Sequence, residues 1–221
     1  MEFIYNYPFQ KIKKLFLFIL INNIKNIGNL SYNKNYKIIE KVSIMRKELN
    51  QGLVQVYCGR GKGKTTAALG QGLRATGHGF KVFMIQFMKG NTNYGEIEAI
   101  KTNPYFEVKQ FGTKELINNP REIDLEEGKK AMDFAEKILT NNKYDIVILD
   151  EIGVAIEMGI VSIEDVLRLI EIRPEKVELI LTGGGRIHPK LRECADLVTE
   201  MKMIKHYYSS QGIIARFGIE Y

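Results

Sequence analysis

The chain has 221 residues, of which 45% are apolar and 26% are charged, and this composition is typical of one globular domain with a sizeable core. It excludes a disordered chain, a collagen-like fibre and a coiled-coil rod. The two cysteines, Cys58 and Cys194, exclude a disulfide-stapled secreted scaffold and suggest a reducing compartment. We therefore expect a cytoplasmic protein.

The net charge of +6 is concentrated near one end of the chain. Residues 1–44 carry seven lysines and two acidic residues, whereas residues 45–221 carry 25 basic and 24 acidic residues. A nucleic-acid-binding domain needs a basic face on its folded surface. The near-neutral main part therefore predicts no nucleic-acid partner.

Residues 1–44 differ in composition from the rest, because Ile, Asn, Lys, Phe and Tyr supply 31 of the 44 positions. The longest apolar run has seven residues, and a spanning helix needs about 20, so we expect no membrane partner. A basic amphipathic arm is one interpretation. We favour a second one, in which Met45 is the natural start. The chain then divides into an atypical extension, 1–44, and one domain, 45–221.

A glycine-rich loop follows the first well-patterned strand, Leu53–Tyr57, and leads into a helix that ends near Gly77. Strand, loop and Gly-Lys-Thr at a helix start form the arrangement that cradles phosphates. A ligand-free turn is the alternative, which this context disfavours. The predicted nucleotide-binding residues are Gly59, Arg60, Gly61, Lys62, Gly63, Lys64, Thr65 and Thr66.

The chemistry explains these residue types. Glycines let successive backbone N–H groups point at phosphate oxygens, and the helix N-terminus adds partial positive charge. Lys64 would reach the outer phosphates, and the Thr65 hydroxyl would bind Mg²⁺. The usual motif has a further glycine five positions before Gly63, where this chain has Cys58.

An apolar run from Tyr144 ends in two acidic residues, Asp150 and Glu151. A continuous apolar strand is typical of a buried parallel sheet, and its carboxyl end is where such sheets bind ligands. In phosphate-loop proteins an acid at this place holds Mg²⁺. We predict Asp150 as the first choice for the metal ligand and Glu151 as the second.

The remaining segments alternate between strands and helices. Asp124 and Glu127, at capping spacing, predict a helix from Asp124 to Thr140, and Ser162 begins another that stops before Pro174. Thr182-Gly-Gly-Gly185 is either a nucleotide contact or a plain turn. The further predicted strands cover residues 81–87, 106–110, 177–181 and 197–203. The pattern predicts an α/β fold: a three-layer α/β/α phosphate-loop (RecA-like) domain around a mostly parallel sheet.

Several segments, in order, resemble the corrinoid (cob(I)alamin or cobyrinic acid diamide) adenosyltransferases of the phosphate-loop type. Members of that family likewise lack the leading glycine of the loop. The resemblance covers about residues 52–221, and its segments are Gly59–Ala68, Gln86–Gly90, Val147–Glu151, Ile180–Gly183, Ala195–Met201, Lys205-His206 and Ala215–Tyr221.

The resemblance implies a reaction in which the 5′-deoxyadenosyl group of ATP passes to the Co(I) of a reduced corrinoid and triphosphate is released. Co(I) is itself the nucleophile, so the resemblance implies no catalytic base. ATP as co-substrate, Mg²⁺ or Mn²⁺, a flavoprotein reductase as electron donor and a homodimer are implied as well. Many members carry an aromatic pair after the third strand, Gly-Phe-Thr-Trp, which helps displace the lower ligand of the corrinoid. Here the segment from Phe111 reads Phe-Gly-Thr-Lys, and the chain has no Trp.

Two other function classes share some of these features. A phosphate-loop kinase or ATPase would use the same loop and Asp150, but it would also need a base or water-positioning group, which we cannot assign. A non-enzymatic module would bind a membrane or nucleic acid through the basic extension. Three scattered histidines show no zinc spacing; we expect His188 to cap a helix and His206 to be a hydrogen-bonded structural residue.

Overall fold

The computed structural model describes residues 48–90 and 94–221. The predicted extension and the proposed start at Met45 lie outside these residues. Within the described ranges, no helix is both long enough and apolar enough to cross a bilayer.

The described residues form six strands and seven helices. The strands are β1 (Val54–Cys58), β2 (Val82–Gln86), β3 (Phe106–Gln110), β4 (Ile146–Asp150), β5 (Glu178–Thr182) and β6 (Leu197–Glu200). The helices are α1 (Lys64–Thr76), α2 (Gly95–Lys101), α3 (Glu122–Thr140), α4 (Ile152–Glu157), α5 (Ile163–Ile172), α6 (Pro189–Cys194) and α7 (Tyr207–Gln211).

All six strands join one sheet in the order β3-β2-β4-β5-β1-β6, and every neighbouring pair is parallel. The phosphate-loop strand β1 is separated from the acidic strand β4 by β5, which is the RecA-like order. Crossover helices are required between parallel strands, and they cover both faces of the sheet. The predicted three-layer α/β/α architecture is confirmed.

Alternate residues of the central strands supply two cores. Ile146, Ile148 and Ile180 face Ala68 and Ala75 of α1. On the opposite face, the side chains of Val147, Leu149, Leu179 and Leu181 pack with the apolar residues of α3, α4 and α5. Strands β2 and β4 are buried along their whole length. This burial explains why their sequences are nearly continuous apolar runs.

The helix starts show where local sequence patterns suffice and where they do not. Ser162 caps α5 as predicted, since its hydroxyl accepts a hydrogen bond from the backbone N–H of Asp165. The predicted start of α3 at Asp124 is wrong by two residues. Asp124 stands third in the helix, where its carboxylate accepts the Arg121 N–H at 3.0 Å, the position that a capping box gives to an acid.

Candidate nucleotide-binding site

The parallel register brings four chain segments together at one edge of the sheet. Gln86 at the end of β2 lies beside Asp150 at the end of β4, and Thr182 at the end of β5 lies beside Tyr57. The glycine-rich loop follows β1 at the same edge. Ligands of open α/β sheets bind at this carboxyl edge, next to the point where the strand order reverses.

The loop between β1 and α1 is held in place by backbone contacts. Gly59 and Gly63 adopt positive φ angles of 102° and 117°, which favour glycine. The Gly61 N–H donates to the carbonyl of Met201 at 2.7 Å, and a Cβ at Gly61 would lie 2.6 Å from that oxygen. Cys58, in place of the expected glycine, is the buried last residue of β1, so the tight turn begins one residue later.

Lys64 is the first residue of α1 and reaches back across the loop. Its Nζ donates to the carbonyl oxygens of Gly59 at 2.7 Å and Gly61 at 3.1 Å. These contacts hold the ammonium inside the loop, where it would meet phosphate oxygens. Thr65 and Thr66 follow on the first turn of α1 and line the adjacent cavity.

Asp150 is fully buried, and both of its carboxylate oxygens are occupied. Oδ1 accepts the Thr182 hydroxyl at 2.7 Å. Oδ2 accepts Nε2 of Gln86 at 3.1 Å and Nζ of Lys89 at 2.9 Å. The carboxylate therefore ties together the ends of three neighbouring strands.

Glu151 has a different environment, because it lines the cavity together with Lys64 and Thr65. Its backbone adopts a left-handed conformation, with φ at 63°, and its N–H donates to the Thr182 hydroxyl at 3.0 Å. Burial and the neighbouring Asp150 charge raise the pKa of the Glu151 carboxyl, although Lys89 and Lys64 act in the opposite direction. Of the two predicted acids, Glu151 is the one that lines the cavity.

The segment after β5 packs closely against the segment after β4, and this packing requires glycine. The glycines therefore have a structural role and do not form a plain exposed turn. Gly183 has a φ of 102°, and a Cβ there would lie 2.9 Å from Cα of Glu151. A Cβ at Gly153 would lie 2.4 Å from the Gly183 carbonyl oxygen. The loop after β5 therefore supports the acidic loop directly.

A cavity of about 470 Å³ lies at the mouth of the phosphate loop. It combines loop residues, the segment after β2, an acid after β4 and the last residues of the chain. Its lining residues are Gly61, Lys62, Gly63, Lys64, Thr65, Thr66, Leu69, Lys89, Tyr94, Gly95, Glu96, Glu151, Gly218, Ile219, Glu220 and Tyr221.

Lys62 contacts the last residues of the chain. Its Nζ donates to the Ile219 carbonyl at 3.0 Å and lies 3.5 Å from the Glu220 carboxylate. Arg216 and Tyr207 also donate to that carboxylate. Glu220 lies in the segment Ala215–Tyr221 that carries the family resemblance, but no local motif predicts its contact with a loop so distant in the chain.

The other predicted residues lie at varied distances from this cavity. Gly59 and Arg60 belong to the loop but do not line the cavity. Phe111 is buried in the core against Phe134, with ring centroids 5.4 Å apart. His188 caps α6 and His206 caps α7 through their ring nitrogens, as expected.

The donor set fits a Mg²⁺ ion that arrives with phosphates. The described residues contain no cluster of three or more His, Cys, Asp or Glu side chains that could hold a metal ion. Mg²⁺ commonly takes one or two protein carboxylates together with substrate phosphates. Thr65 and Glu151 line the same cavity, and their side chains carry oxygen donors of this kind.

Comparison with known proteins gives a family. The family model described as ATP:corrinoid adenosyltransferase BtuR/CobO/CobP matches residues 50–221. The chain belongs to this adenosyltransferase family. It is 33% identical over 191 residues to the corrinoid adenosyltransferase of Escherichia coli K12, covering 85% of this chain and 96% of that protein. It is 34% identical over 192 residues to the one of Pseudomonas aeruginosa, covering 85% and 92%.

A further relative and a solved structure are also similar to this chain. Corrinoid adenosyltransferase CobA of Salmonella typhimurium is 31% identical over 191 residues, covering 85% of this chain and 96% of the relative. Among solved structures, the RadB recombinase superposes loosely, with a TM-score of 0.44 and 18% identity over 72% of this chain and 78% of that chain. As a member of the adenosyltransferase family, the protein is an enzyme that transfers the adenosyl group of ATP to a corrinoid. The kinase interpretation is not favoured.

Proposed function

We propose that the cavity at the phosphate loop holds the triphosphate of ATP and leaves the 5′-carbon open to the corrinoid. The observation that carries this proposal is the convergence of Lys64, Thr65 and Glu151 on one cavity at the carboxyl edge of the sheet. Backbone N–H groups of the loop and the Lys64 ammonium would bind the phosphate oxygens. Lys62 would join them, since its side chain lines the same cavity.

In the proposed reaction the Co(I) of the corrinoid substrate attacks the 5′-carbon of ATP. A cobalt–carbon bond forms, the bond from the 5′-carbon to its oxygen breaks, and its electron pair leaves with the triphosphate. No proton needs to be removed, so the protein contributes orientation and charge. Lys64 and the N-terminus of α1 stabilise the negative charge that grows on the leaving triphosphate.

We further propose Thr65 and Glu151 as the protein ligands of Mg²⁺ (or Mn²⁺), which would neutralise part of the triphosphate charge when bound. Asp150, our first choice from the sequence, is less suited to direct coordination. Its two carboxylate oxygens already accept hydrogen bonds from Thr182, Gln86 and Lys89. Asp150 would act by holding its neighbours.

Partners and compartment follow from the same chemistry. Because the reaction consumes Co(I), we propose a flavoprotein reductase as the electron donor. Both cysteines are free thiols, which supports a reducing cytoplasm.

We propose a homodimer, supported by the exposed apolar side chains of β6 and the segment after it, among them Val198, Ile204 and Phe217.

An anaerobic incubation of the enzyme with ATP, Mg²⁺ and chemically reduced cob(I)alamin tests the proposed reaction. We expect the Co(I) spectrum to disappear while a light-sensitive alkylcorrinoid and triphosphate form in equal amounts. Formation of ADP and phosphate with an unchanged Co(I) spectrum would overturn the proposal in favour of phosphoryl transfer.

A further inference from the structure

We propose that Lys89, in the loop after β2, binds a phosphate oxygen of the nucleotide and that Asp150 positions it. Lys89 would thus be a third cation for the triphosphate beside Lys62 and Lys64. This inference rests on the proposed binding of triphosphate in the cavity, and it concerns a residue that the phosphate-loop motif does not include.

The surroundings of Lys89 leave its ammonium ready for an anionic ligand. The side chain is 15% exposed, and Nζ lies 2.9 Å from Oδ2 of Asp150. Among the described residues, Asp150 is the one hydrogen-bond acceptor of this ammonium, which carries three donors. The Tyr94 ring packs near it, with Nζ 5.1 Å from the ring centroid. Lys89 lines the same cavity as Lys64 and Thr65, so its remaining N–H donors are available to a ligand there.

Asp150 is a firm anchor for this lysine. Its carboxylate is completely buried and is itself fixed by the Thr182 hydroxyl and the Gln86 amide. A lysine side chain has four rotatable bonds, and holding it in one place costs conformational entropy when a ligand binds. The ion pair with Asp150 fixes Nζ before binding, so the contact with a phosphate costs less.

The charge balance of the cavity also favours this role. Lys62 is shared with the Ile219 carbonyl and the Glu220 carboxylate, and Glu151 and Glu96 place negative charge on the cavity lining. A triphosphate carries several negative charges, which need more cations than Lys64 alone. Lys89 supplies one from a different element of the fold.

Isothermal titration with inorganic tripolyphosphate, in the presence and absence of Mg²⁺, tests the proposal. We expect Lys89→Met to weaken tripolyphosphate binding by about 10- to 100-fold, since hydrogen bonds to charged groups are the strong ones. Lys101→Met removes the same charge from an exposed position on α2 and should leave the affinity unchanged. Asp150→Asn keeps the ammonium but loses its anchor, and we expect the KM for ATP to rise about 10-fold with a smaller change in kcat.

Lys89→Met leaves the Asp150 charge buried and unpaired, which destabilises the fold by itself. The double variant Lys89→Met/Asp150→Asn removes both charges, so its unfolding temperature should recover towards wild type while its tripolyphosphate affinity stays low. Wild-type affinity in the single or the double variant would overturn the role of Lys89 and leave adenosyl transfer untouched. A wild-type enzyme that binds no tripolyphosphate would instead overturn the proposed cavity function.

Discussion

Thr182 shows how one side chain organises the site. Its hydroxyl donates to Asp150 and accepts a hydrogen bond from the backbone N–H of Glu151, so it holds two neighbouring acidic residues in place. The Glu151 backbone lies in the left-handed region that non-glycine residues rarely adopt. Strain of this kind persists where surrounding contacts hold it, and it is common at functional sites.

We predict that Thr182→Val destabilises the enzyme by about 2 to 4 kcal/mol, because two buried polar groups lose their hydrogen-bond partner. Urea unfolding monitored by circular dichroism gives the free energy of unfolding. Thr182→Ser keeps the hydroxyl and is the matched control. Equal stability of the Val and Ser variants would contradict the role given to the hydroxyl.

Lys64 is the residue whose loss should affect the reaction most. We predict that Lys64→Ala lowers the rate of adenosyl transfer by about 100- to 1,000-fold, the usual effect of removing a donor that stabilises developing charge, and weakens ATP binding. The anaerobic cob(I)alamin assay measures the rate. Lys130→Ala, at an exposed position on α3, should retain the wild-type rate. A wild-type rate in Lys64→Ala would show that the phosphate loop is assigned wrongly.

Glu220 gives the contacts among the last residues of the chain a pH dependence. Hydrogen bonds from Arg216 and Tyr207 lower the pKa of its carboxyl from 4.5 to about 2. Because the pKa of this carboxyl is lower in the folded state than in the unfolded chain, its ionisation stabilises the fold at pH values above 4.5. This contribution is lost as the pH falls from 4.5 towards 2. We predict that wild type unfolds at a higher temperature than Glu220→Gln at neutral pH. The difference between the two unfolding temperatures should narrow below pH 4.5 in calorimetric scans. A difference that does not depend on pH would contradict this assignment.

At the scale of elements, the edge strand β6 differs from the middle of the sheet. Strands β2 and β4 are buried along their length, whereas all four residues of β6 are exposed. Exposed apolar side chains continue from β6 into the following segment, including Ile204 and Phe217. An edge strand with apolar neighbours is a surface that proteins usually cover, and a second copy of the chain would cover it here.

We predict that Ile204→Lys shifts the enzyme from dimer to monomer, because a charge would be buried in the proposed interface. Light scattering coupled to size-exclusion chromatography measures the mass. Leu116→Lys alters another highly exposed apolar residue, far from β6 in the chain, and should leave the mass unchanged. A monomeric wild type would disprove the dimer.

At the scale of the whole molecule, the residues described for the sheet, its two cores and the cavity lie between 48 and 221. The family model also begins only at residue 50. Most of the excess positive charge lies before that point. We therefore expect the proposed chemistry to need no contribution from the extension.

We predict that an enzyme beginning at Met45 keeps the full rate of adenosyl transfer and an unchanged unfolding temperature, because every residue assigned to the cavity is retained. The cob(I)alamin assay and a thermal scan on both lengths of chain measure this. Loss of activity on removal of residues 1–44 would favour the amphipathic arm over a natural start at Met45.

The sequence alone determined the class of fold, the phosphate loop and the family. These follow from short-range patterns: a strand, glycines and Gly-Lys-Thr within a few residues of one another, and an apolar run that ends in Asp150 and Glu151. The helix from Ser162 was also predictable, because a cap and its partner lie three residues apart. Local chemistry is sufficient where the interacting groups are neighbours in the chain.

Only the tertiary structure showed which of these residues lie at the cavity. The pattern ranked Asp150 above Glu151 for the metal, but the register of β2, β4 and β5 surrounds Asp150 with donors and leaves Glu151 at the cavity. Lys89 and Glu220 join the site through contacts with residues distant in sequence. Strand pairing sets which side chains meet at the sheet edge, and no single segment contains that information.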